Sequence, residues 1–166
     1  MQPFRFHSIY QPRIWGGQSM RTMLGRELPD RETAYGEAWE ISDRPEAMSI
    51  VKDGEWEGMP LHRLWEEHRQ EIFGPGYERF PRFPLLCKIL DARENLSVQV
   101  HPPERTAAAR QGEVKNEIWY VLHASPDALI YGGMEENATL PDIRHAAETG
   151  QMEQLIRSTH LEPGEH

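Results

Sequence analysis

The chain has 166 residues, enough for one domain with a hydrophobic core and too few for us to expect two independent domains. Its 27 acidic and 18 basic residues give a net charge of −9, which disfavours a nucleic-acid partner but leaves a small phosphorylated ligand open, since a local basic pocket can bind one. The single cysteine, Cys87, excludes an intramolecular disulfide, and no apolar run is long enough to span a membrane or to form the core of a signal peptide, so we expect a cytoplasmic protein with no membrane partner.

The first third of the chain is rich in glycine and proline, which predicts short strands and one short helix around residues 19–24. Residues 37–42 read as a strand that places Glu37 and Trp39 on the same face. Apolar residues at helical spacing predict one amphipathic helix over residues 59–73, which ends at the Gly-Pro pair that follows it.

Residues 83–101 are expected to form a β-hairpin. A mostly apolar run over residues 83–90 and a strictly alternating run over residues 96–101 flank a polar turn. Cys87 lies in the apolar run and is expected to be buried. The alternation gives the second strand one apolar and one polar face. The polar face carries Ser97, Gln99 and His101.

The remaining elements are short. Alanines favour a helix near residues 104–110, and strands are expected over residues 115–122, with Lys115 and Glu117 on one face, and over residues 129–133. Two short helices separated by Gly150 should follow, the first with Thr139 as its N-cap, and a Pro-Gly turn at residues 163–164 should lead into a further strand.

Gln99, His101 and Glu117 are the candidate metal ligands. An imidazole, a carboxylate and an amide oxygen form a mixed nitrogen and oxygen donor set, which suits Zn, Mn, Fe or Co. The alternative is that Gln99 and His101 are ordinary solvent-facing or hydrogen-bonded strand residues and that Glu117 pairs with Lys115 or Lys88.

Several motifs of the chain resemble those of one enzyme family. The segments Pro-Leu-Leu-Cys-Lys-Ile-Leu-Asp-Ala at 84–92, Leu-Ser-Val-Gln-Val-His-Pro at 96–102 and Lys-Asn-Glu-Ile-Trp-Tyr-Val-Leu at 115–122 are similar to the type I phosphomannose isomerases, in their shorter bacterial form. The segments Ile-Trp-Gly-Gly at 14–17 and Gly-Glu-Ala-Trp-Glu-Ile-Ser at 36–42 resemble the same family in order and spacing.

The resemblance implies a fold, a cofactor and a reaction. The implied fold is a mainly β, cupin-type barrel with short helices, forming a single catalytic domain over residues 1–166. The implied reaction interconverts mannose 6-phosphate and fructose 6-phosphate through an enediol, with one zinc ion held in part by Gln99, His101 and Glu117. It also suggests roles for five further residues, as candidates for catalysis or for substrate binding. The catalytic candidates are Lys115 and Glu37, and the substrate-binding candidates are Ser97 and Lys88, for phosphate, and Trp15, for the sugar.

Three alternatives to these roles stay open. Glu37 could form a structural ion pair, and Trp15 could be a core residue. The sugar phosphate could differ from mannose 6-phosphate. The group that acts as the base is not determined by these residues.

The chain also departs from the family pattern. The resemblance implies a fourth ligand, a histidine in a Pro-Ala-Gly-x-x-His segment that follows a Pro-Gly turn, and a catalytic arginine later still. Residues 163–166 resemble that turn, and the sequence as given does not contain the segment. We therefore expect a C-terminally truncated barrel that lacks its later strands. A catalytically silent fragment that binds a sugar phosphate or a partner is the alternative to an active enzyme.

Overall fold

The structure is a computed structural model that describes residues 3–166. Two compact units make up the chain, Met1–Leu96 and Ser97–His166. The single domain over residues 1–166 stays a prediction. Among the described residues, no helix has the length and apolar character needed to cross a membrane.

Seven strands and five short α-helices form the regular structure of residues 3–166. The strands are β1 (Ile9–Gly17), β2 (Tyr35–Ile41), β3 (Asp43–Arg44), β4 (Ala47–Met48), β5 (Cys87–Leu90), β6 (Leu129–Met134) and β7 (Ile156–His160). The helices are α1 (Ser19–Thr22), α2 (Leu61–Glu67), α3 (Arg69–Phe73), α4 (Glu104–Ala107) and α5 (Leu140–Thr149). Turns of 3-10 helix follow α4 at Ala108–Arg110 and α5 at Met152–Gln154.

The centre of the first unit is an antiparallel sheet in the order β1-β2-β5. Ala38, in the middle strand, lies opposite Tyr10 of β1 and Ile89 of β5. It is fully buried and packs in one cluster with Met20 and Tyr35. The predicted strand at residues 37–42 and the predicted helix at residues 19–24 are confirmed by β2 and α1.

A second core surrounds Trp65 of α2. Its indole ring is fully buried, makes edge contacts with the rings of Phe73 and Phe83, and donates a hydrogen bond from Nε1 to the Phe80 carbonyl at 3.1 Å. The prediction of one helix over residues 59–73 is wrong in one respect. The chain leaves helical geometry at His68, with φ −126° and ψ 17°, so two short helices stand where one was expected.

The second unit contains the antiparallel pair β6–β7 and helix α5. Thr139 caps α5, because its hydroxyl oxygen accepts from the Asp142 backbone N–H while the Asp142 carboxylate accepts from the Thr139 backbone N–H. Gly150 ends the helix in the left-handed region, at φ 71°. These features confirm the predicted cap and break. Strand β7 was not predicted.

The structure contradicts two predicted strands. Residues 96–101 and 115–122 have no strand assignment, so the predicted hairpin over residues 83–101 is wrong beyond β5. The backbone of the intervening turn bonds to β1: the Arg93 N–H donates to the Trp15 carbonyl at 2.9 Å, and the Asp91 carbonyl accepts from the Gly17 N–H at 3.1 Å. A strand needs a neighbour that takes its backbone groups.

The solvent exposure of the apolar side chains agrees with the absence of the two predicted strands. Val100 is 86% exposed and Ile118 is 93% exposed, so the apolar side chains that would line the strands are not packed. Of the buried hydrophobic residues in the described chain, only Ala107 and Ala146 belong to the second unit. The expected burial of Cys87 is also wrong, because the residue is exposed.

Candidate active-site residues

The predicted site residues divide between the two units. In the first unit, Glu37 and Lys88 lie on the neighbouring strands β2 and β5, and Trp15 lies on β1. The others belong to the second unit, on segments that form no strand. They are Ser97, Gln99, His101, Lys115 and Glu117.

The carboxylate of Glu37 is the best-defined group among them. It is buried, and three side chains donate to it: Oε2 accepts from Arg13 at 2.5 Å and from the Trp39 indole N–H at 3.0 Å, while Oε1 accepts from Lys88 at 3.2 Å. The Lys88 ammonium also lies 4.8 Å from the centre of the Trp39 ring. Glu37 and Trp39 therefore share a face of β2, as the alternation predicts.

These contacts hold Glu37 in its charged form. Burial alone would raise the pKa of Glu37, but the hydrogen bonds from Trp39 and Lys88 and the charges of Lys88 and Arg13 together lower that pKa below its ordinary value of 4.5. The ion-pair alternative for Glu37 is thus what the structure shows. A catalytic role for Glu37 stays a prediction.

Arg13 is the residue of this group that the sequence did not single out. The predicted strand placed the Glu37 carboxylate on the same face as a tryptophan, which indicates burial. Because a buried charge is costly without a partner, this was a signal that Glu37 needs a cation beside it. The partner strand was not predicted to extend over residues 9–17, so nothing pointed to residue 13. The structure supplies it from β1.

Trp15 is half-buried, and its surroundings depend on a glycine. A Cβ built on Gly36 would lie 2.5 Å from a carbon of the Trp15 ring and 2.6 Å from the Arg13 Cβ. Any larger residue at position 36 would therefore displace one of these side chains. Because residue 36 has no side chain, the side chains of Trp15 and Arg13 can lie across β2.

In the second unit, two pairs of predicted residues are in contact. The Gln99 amide nitrogen donates to the Ser97 hydroxyl at 3.3 Å, and the Lys115 ammonium lies 3.0 Å from the Glu117 carboxylate. His101 is exposed. The pairing of Glu117 with Lys115 is one of the two alternatives that the sequence left open.

The donor set of Gln99, His101 and Glu117 fits a zinc ion by its chemistry. The hydrogen bond to Ser97 uses the nitrogen of the Gln99 amide and not the oxygen that would bind a metal. Across residues 3–166, no three His, Cys, Asp or Glu side chains form a group that could hold a metal ion. The trio contains only two residues of these types, His101 and Glu117, because its third member is a glutamine. The metal role of the trio stays a prediction.

A cleft of about 440 Å³ lies elsewhere in the first unit, lined by residues 21 and 25–31. None of the predicted site residues lines it. Arg26 in its wall pairs with Glu40 at 3.2 Å, and Arg21 donates to the Asp30 carbonyl at 3.2 Å. The cleft therefore does not coincide with the residues that carry the predicted chemistry.

Comparison with known proteins decides the family. A sequence model of the phosphomannose isomerase type I catalytic domain matches residues 3–120. The chain belongs to the type I phosphomannose isomerases. All eight predicted site residues of this phosphomannose isomerase chain, from Trp15 to Glu117, lie inside the matched range.

Curated relatives agree with this assignment. The chain is 39% identical over 166 residues to the mannose-6-phosphate isomerase of Streptococcus mutans, and 38% identical over 168 residues to the mannose-6-phosphate isomerase ManA of Bacillus subtilis. Each alignment covers 99% of this chain and 50% of the relative. This type I phosphomannose isomerase chain thus spans about half the length of the curated relatives it matches.

A solved structure supports the fold. The mannose 6-phosphate isomerase from Bacillus subtilis matches with a TM-score of 0.85 and 33% identity, over 99% of this chain and 51% of that one. The predicted cupin-type class of strands with short helices is confirmed. Within the part of the chain that the structure describes, the strands form no closed barrel.

Proposed function

We propose that this chain serves the zinc-dependent interconversion of mannose 6-phosphate and fructose 6-phosphate through an enediol. The observation that carries the proposal is the catalytic-domain match over residues 3–120, because it contains every residue to which the sequence assigned a role. The chain spans half the length of its relatives, so the activity is proposed here and is not taken from them.

The metal is proposed to bind Gln99, His101 and Glu117 through an amide oxygen, an imidazole nitrogen and a carboxylate oxygen. Zinc supplies, when bound, Lewis acidity that stabilises negative charge on the sugar oxygens. Lys115 contacts Glu117 at 3.0 Å, so this cation lies beside one of the proposed ligands.

Aldose–ketose isomerisation moves a proton between C1 and C2, and a side chain must reach that carbon-bound proton. Glu37 is poorly suited to accept it, because three donors already occupy its carboxylate and its pKa is lowered. Lys115 is proposed for proton transfer, and Glu37 is proposed to orient the two cations that contact it. Lys88 and Ser97 are proposed to bind the phosphate and Trp15 to contact the sugar.

A second candidate function is a catalytically silent chain that binds a sugar phosphate or a partner without turnover. Its support is specific: residues 96–101 and 115–122, which carry the proposed ligands, form no strands and leave Val100 and Ile118 exposed. A site on unpaired segments is less rigid than a site on paired strands.

Zinc retention tests the ligand assignment. We expect His101→Ala to lose the zinc that the unmodified chain retains after dialysis, as measured by metal analysis. His68→Ala is the matched control, because His68 makes an edge contact with the Trp56 ring in the first unit and has no proposed metal role. Equal zinc in the two variants would remove His101 from the site.

Turnover tests Lys115. Lys115→Ala should lower the rate of isomerisation far more than it lowers zinc content, and a fully active Lys115→Ala protein would rule out proton transfer by this residue. A panel of mannose 6-phosphate, fructose 6-phosphate and glucose 6-phosphate identifies the substrate. Zinc binding without conversion of any of the three would favour the silent chain.

A further inference from the structure

Three neighbouring strands place three side chains around the buried carboxylate of Glu37 in the first unit. Arg13 comes from β1, Glu37 and Trp39 from β2, and Lys88 from β5. The two oxygens of Glu37 have different partners: Oε2 accepts from Arg13 and Trp39, and Oε1 accepts from Lys88. The carboxylate therefore joins the two cations and holds each at a separate oxygen.

The route that Arg13 takes to Glu37 is built into the backbone. The register between β1 and β2 shifts between Gln11 and Pro12, and the Arg13 N–H donates to the Ala34 carbonyl at 3.0 Å. The Arg13 side chain must then pass over Gly36, where a Cβ would lie 2.6 Å from its own. A register irregularity and a glycine both serve to bring this guanidinium to Glu37.

The guanidinium is anchored at two points. Arg13 donates to the Pro12 carbonyl at 2.9 Å and to Glu37 Oε2 at 2.5 Å. With Trp39 also on Oε2, the carboxylate cannot turn without losing two donors. Oε1 is thus held toward Lys88, whose ammonium is fixed against the face of the Trp39 ring.

The charges in this group do not cancel. One carboxylate faces two cations, so one positive charge is left over, and the Lys88 side chain keeps 23% of its exposure. A structural ion pair needs only one cation. The second cation, partly open to solvent, is suited to an anionic ligand such as a sugar phosphate.

We propose that Arg13 is a positioning residue that holds Lys88 in place through Glu37, so that the ammonium of Lys88 is oriented for an anionic substrate. The inference rests on the proposed function in one respect, which is that Lys88 binds the phosphate of the sugar. The link from Arg13 to Lys88 is independent of it.

Nuclear magnetic resonance on the full chain tests this link. The Trp39 indole N–H is bonded to Glu37 Oε2, so its resonance reports the titration of that carboxylate, and contacts between Lys88 methylenes and the Trp39 ring report the position of the lysine. In Arg13→Gln we expect the titration midpoint to move to higher pH, since a nearby cation is lost. The Lys88–Trp39 contacts should weaken or disappear.

Variants separate the proposal from a general loss of stability. Arg13→Lys keeps the charge, so its Glu37 titration midpoint should lie close to that of the unmodified chain. Gly36→Ala keeps every charge but should weaken the Lys88–Trp39 contacts. Arg5→Gln is the matched control, because Arg5 pairs with Asp53 on the surface of the same unit. A midpoint and contacts in folded Arg13→Gln and Arg13→Lys that equal those of the unmodified chain would overturn the proposal.

Binding of mannose 6-phosphate connects the link to function. Followed at the Trp39 resonance, its affinity should fall roughly tenfold in Arg13→Gln, as expected for disturbing one charge-assisted hydrogen bond, and stay unchanged in Arg5→Gln. Failure of the unmodified chain to bind the sugar phosphate would count against the proposed function. The midpoint shift and the lost contacts would still support the role of Arg13.

Discussion

Replacing Glu37 by glutamine should destabilise the chain more than any surface change of the same type. The substitution keeps the size of the side chain and removes its charge. It leaves Arg13 and Lys88 without their shared counter-ion, and it places an amide nitrogen, which is itself a donor, among three donors. At least one of the three hydrogen bonds must be lost.

The magnitude follows from burial. Removing one partner of a fully buried ion pair costs roughly 3–5 kcal/mol. The side chains of Arg13 and Lys88 retain 35% and 23% of their exposure, so water replaces part of the lost interaction. We expect a loss of about 2 kcal/mol in the free energy of unfolding, and a urea midpoint lower by roughly 1 M at a typical denaturant dependence.

Urea unfolding followed by tryptophan fluorescence measures this loss. Glu67→Gln is the matched control, because Glu67 pairs with Arg63 at 2.8 Å on an exposed helix surface, and it should change the free energy of unfolding by less than about 0.5 kcal/mol. Equal losses in Glu37→Gln and Glu67→Gln would refute the view that the buried carboxylate stabilises the sheet.

The effect should also depend on pH with a definite sign. The pKa of Glu37 is lower in the folded chain than its ordinary value of 4.5. Its contribution to stability is therefore complete above about pH 4.5 and is lost as the pH falls through the lower folded value. The difference between the unmodified chain and Glu37→Gln should shrink in that acidic range, and a difference that stays constant there would contradict the assignment.

Three further substitutions test the packing of each unit. Trp65→Ala should cost roughly 3–5 kcal/mol in urea unfolding, because the indole is fully buried, and a loss below 1 kcal/mol would contradict its place in the core. Gly17→Ala should cost about 1–3 kcal/mol, because a Cβ there meets the Asp91 carboxylate that accepts from the Met20 N–H at 2.9 Å; unchanged thermal stability would disprove this contact. Thr139→Ala should remove about 1 kcal/mol and reduce the helical circular dichroism signal from α5, whereas an unchanged signal would mean that the cap is dispensable.

Local sequence signals predicted the elements whose hydrogen bonds are local. The cap at Thr139 and the break at Gly150 were predicted because each depends on residues within one helical turn. The strand that contains Glu37 and Trp39 was predicted from its alternation, and the hydrogen bond between them confirms that they share a face. These cases need no information about distant partners.

The wrong strand predictions concern segments whose partners are distant. Residues 96–101 alternate as a strand does, but alternation does not provide the neighbouring backbone that a strand requires. In the structure, the preceding turn bonds to Trp15 and Gly17 of β1, a contact that no local pattern shows. Strand β7 was missed for the opposite reason: it pairs with β6, although its own sequence has weak alternation.

The candidate site likewise contains residues that the sequence nominated and one residue that it could not. The motifs identified the family and nominated Glu37 and Lys88, which the structure brings into contact. Arg13 could not be nominated, because it reaches Glu37 only through a register shift in β1 and the absence of a side chain at Gly36. Long-range pairing determined this contact.

We propose that these residues serve the zinc-dependent isomerisation of mannose 6-phosphate. The most direct measurement follows the conversion of mannose 6-phosphate to fructose 6-phosphate by the zinc-loaded chain, with His101→Ala prepared in the same way. We expect conversion by the unmodified chain and none by His101→Ala. A folded, zinc-loaded chain that produces no fructose 6-phosphate, or a His101→Ala protein that is as active as the unmodified chain, would contradict it.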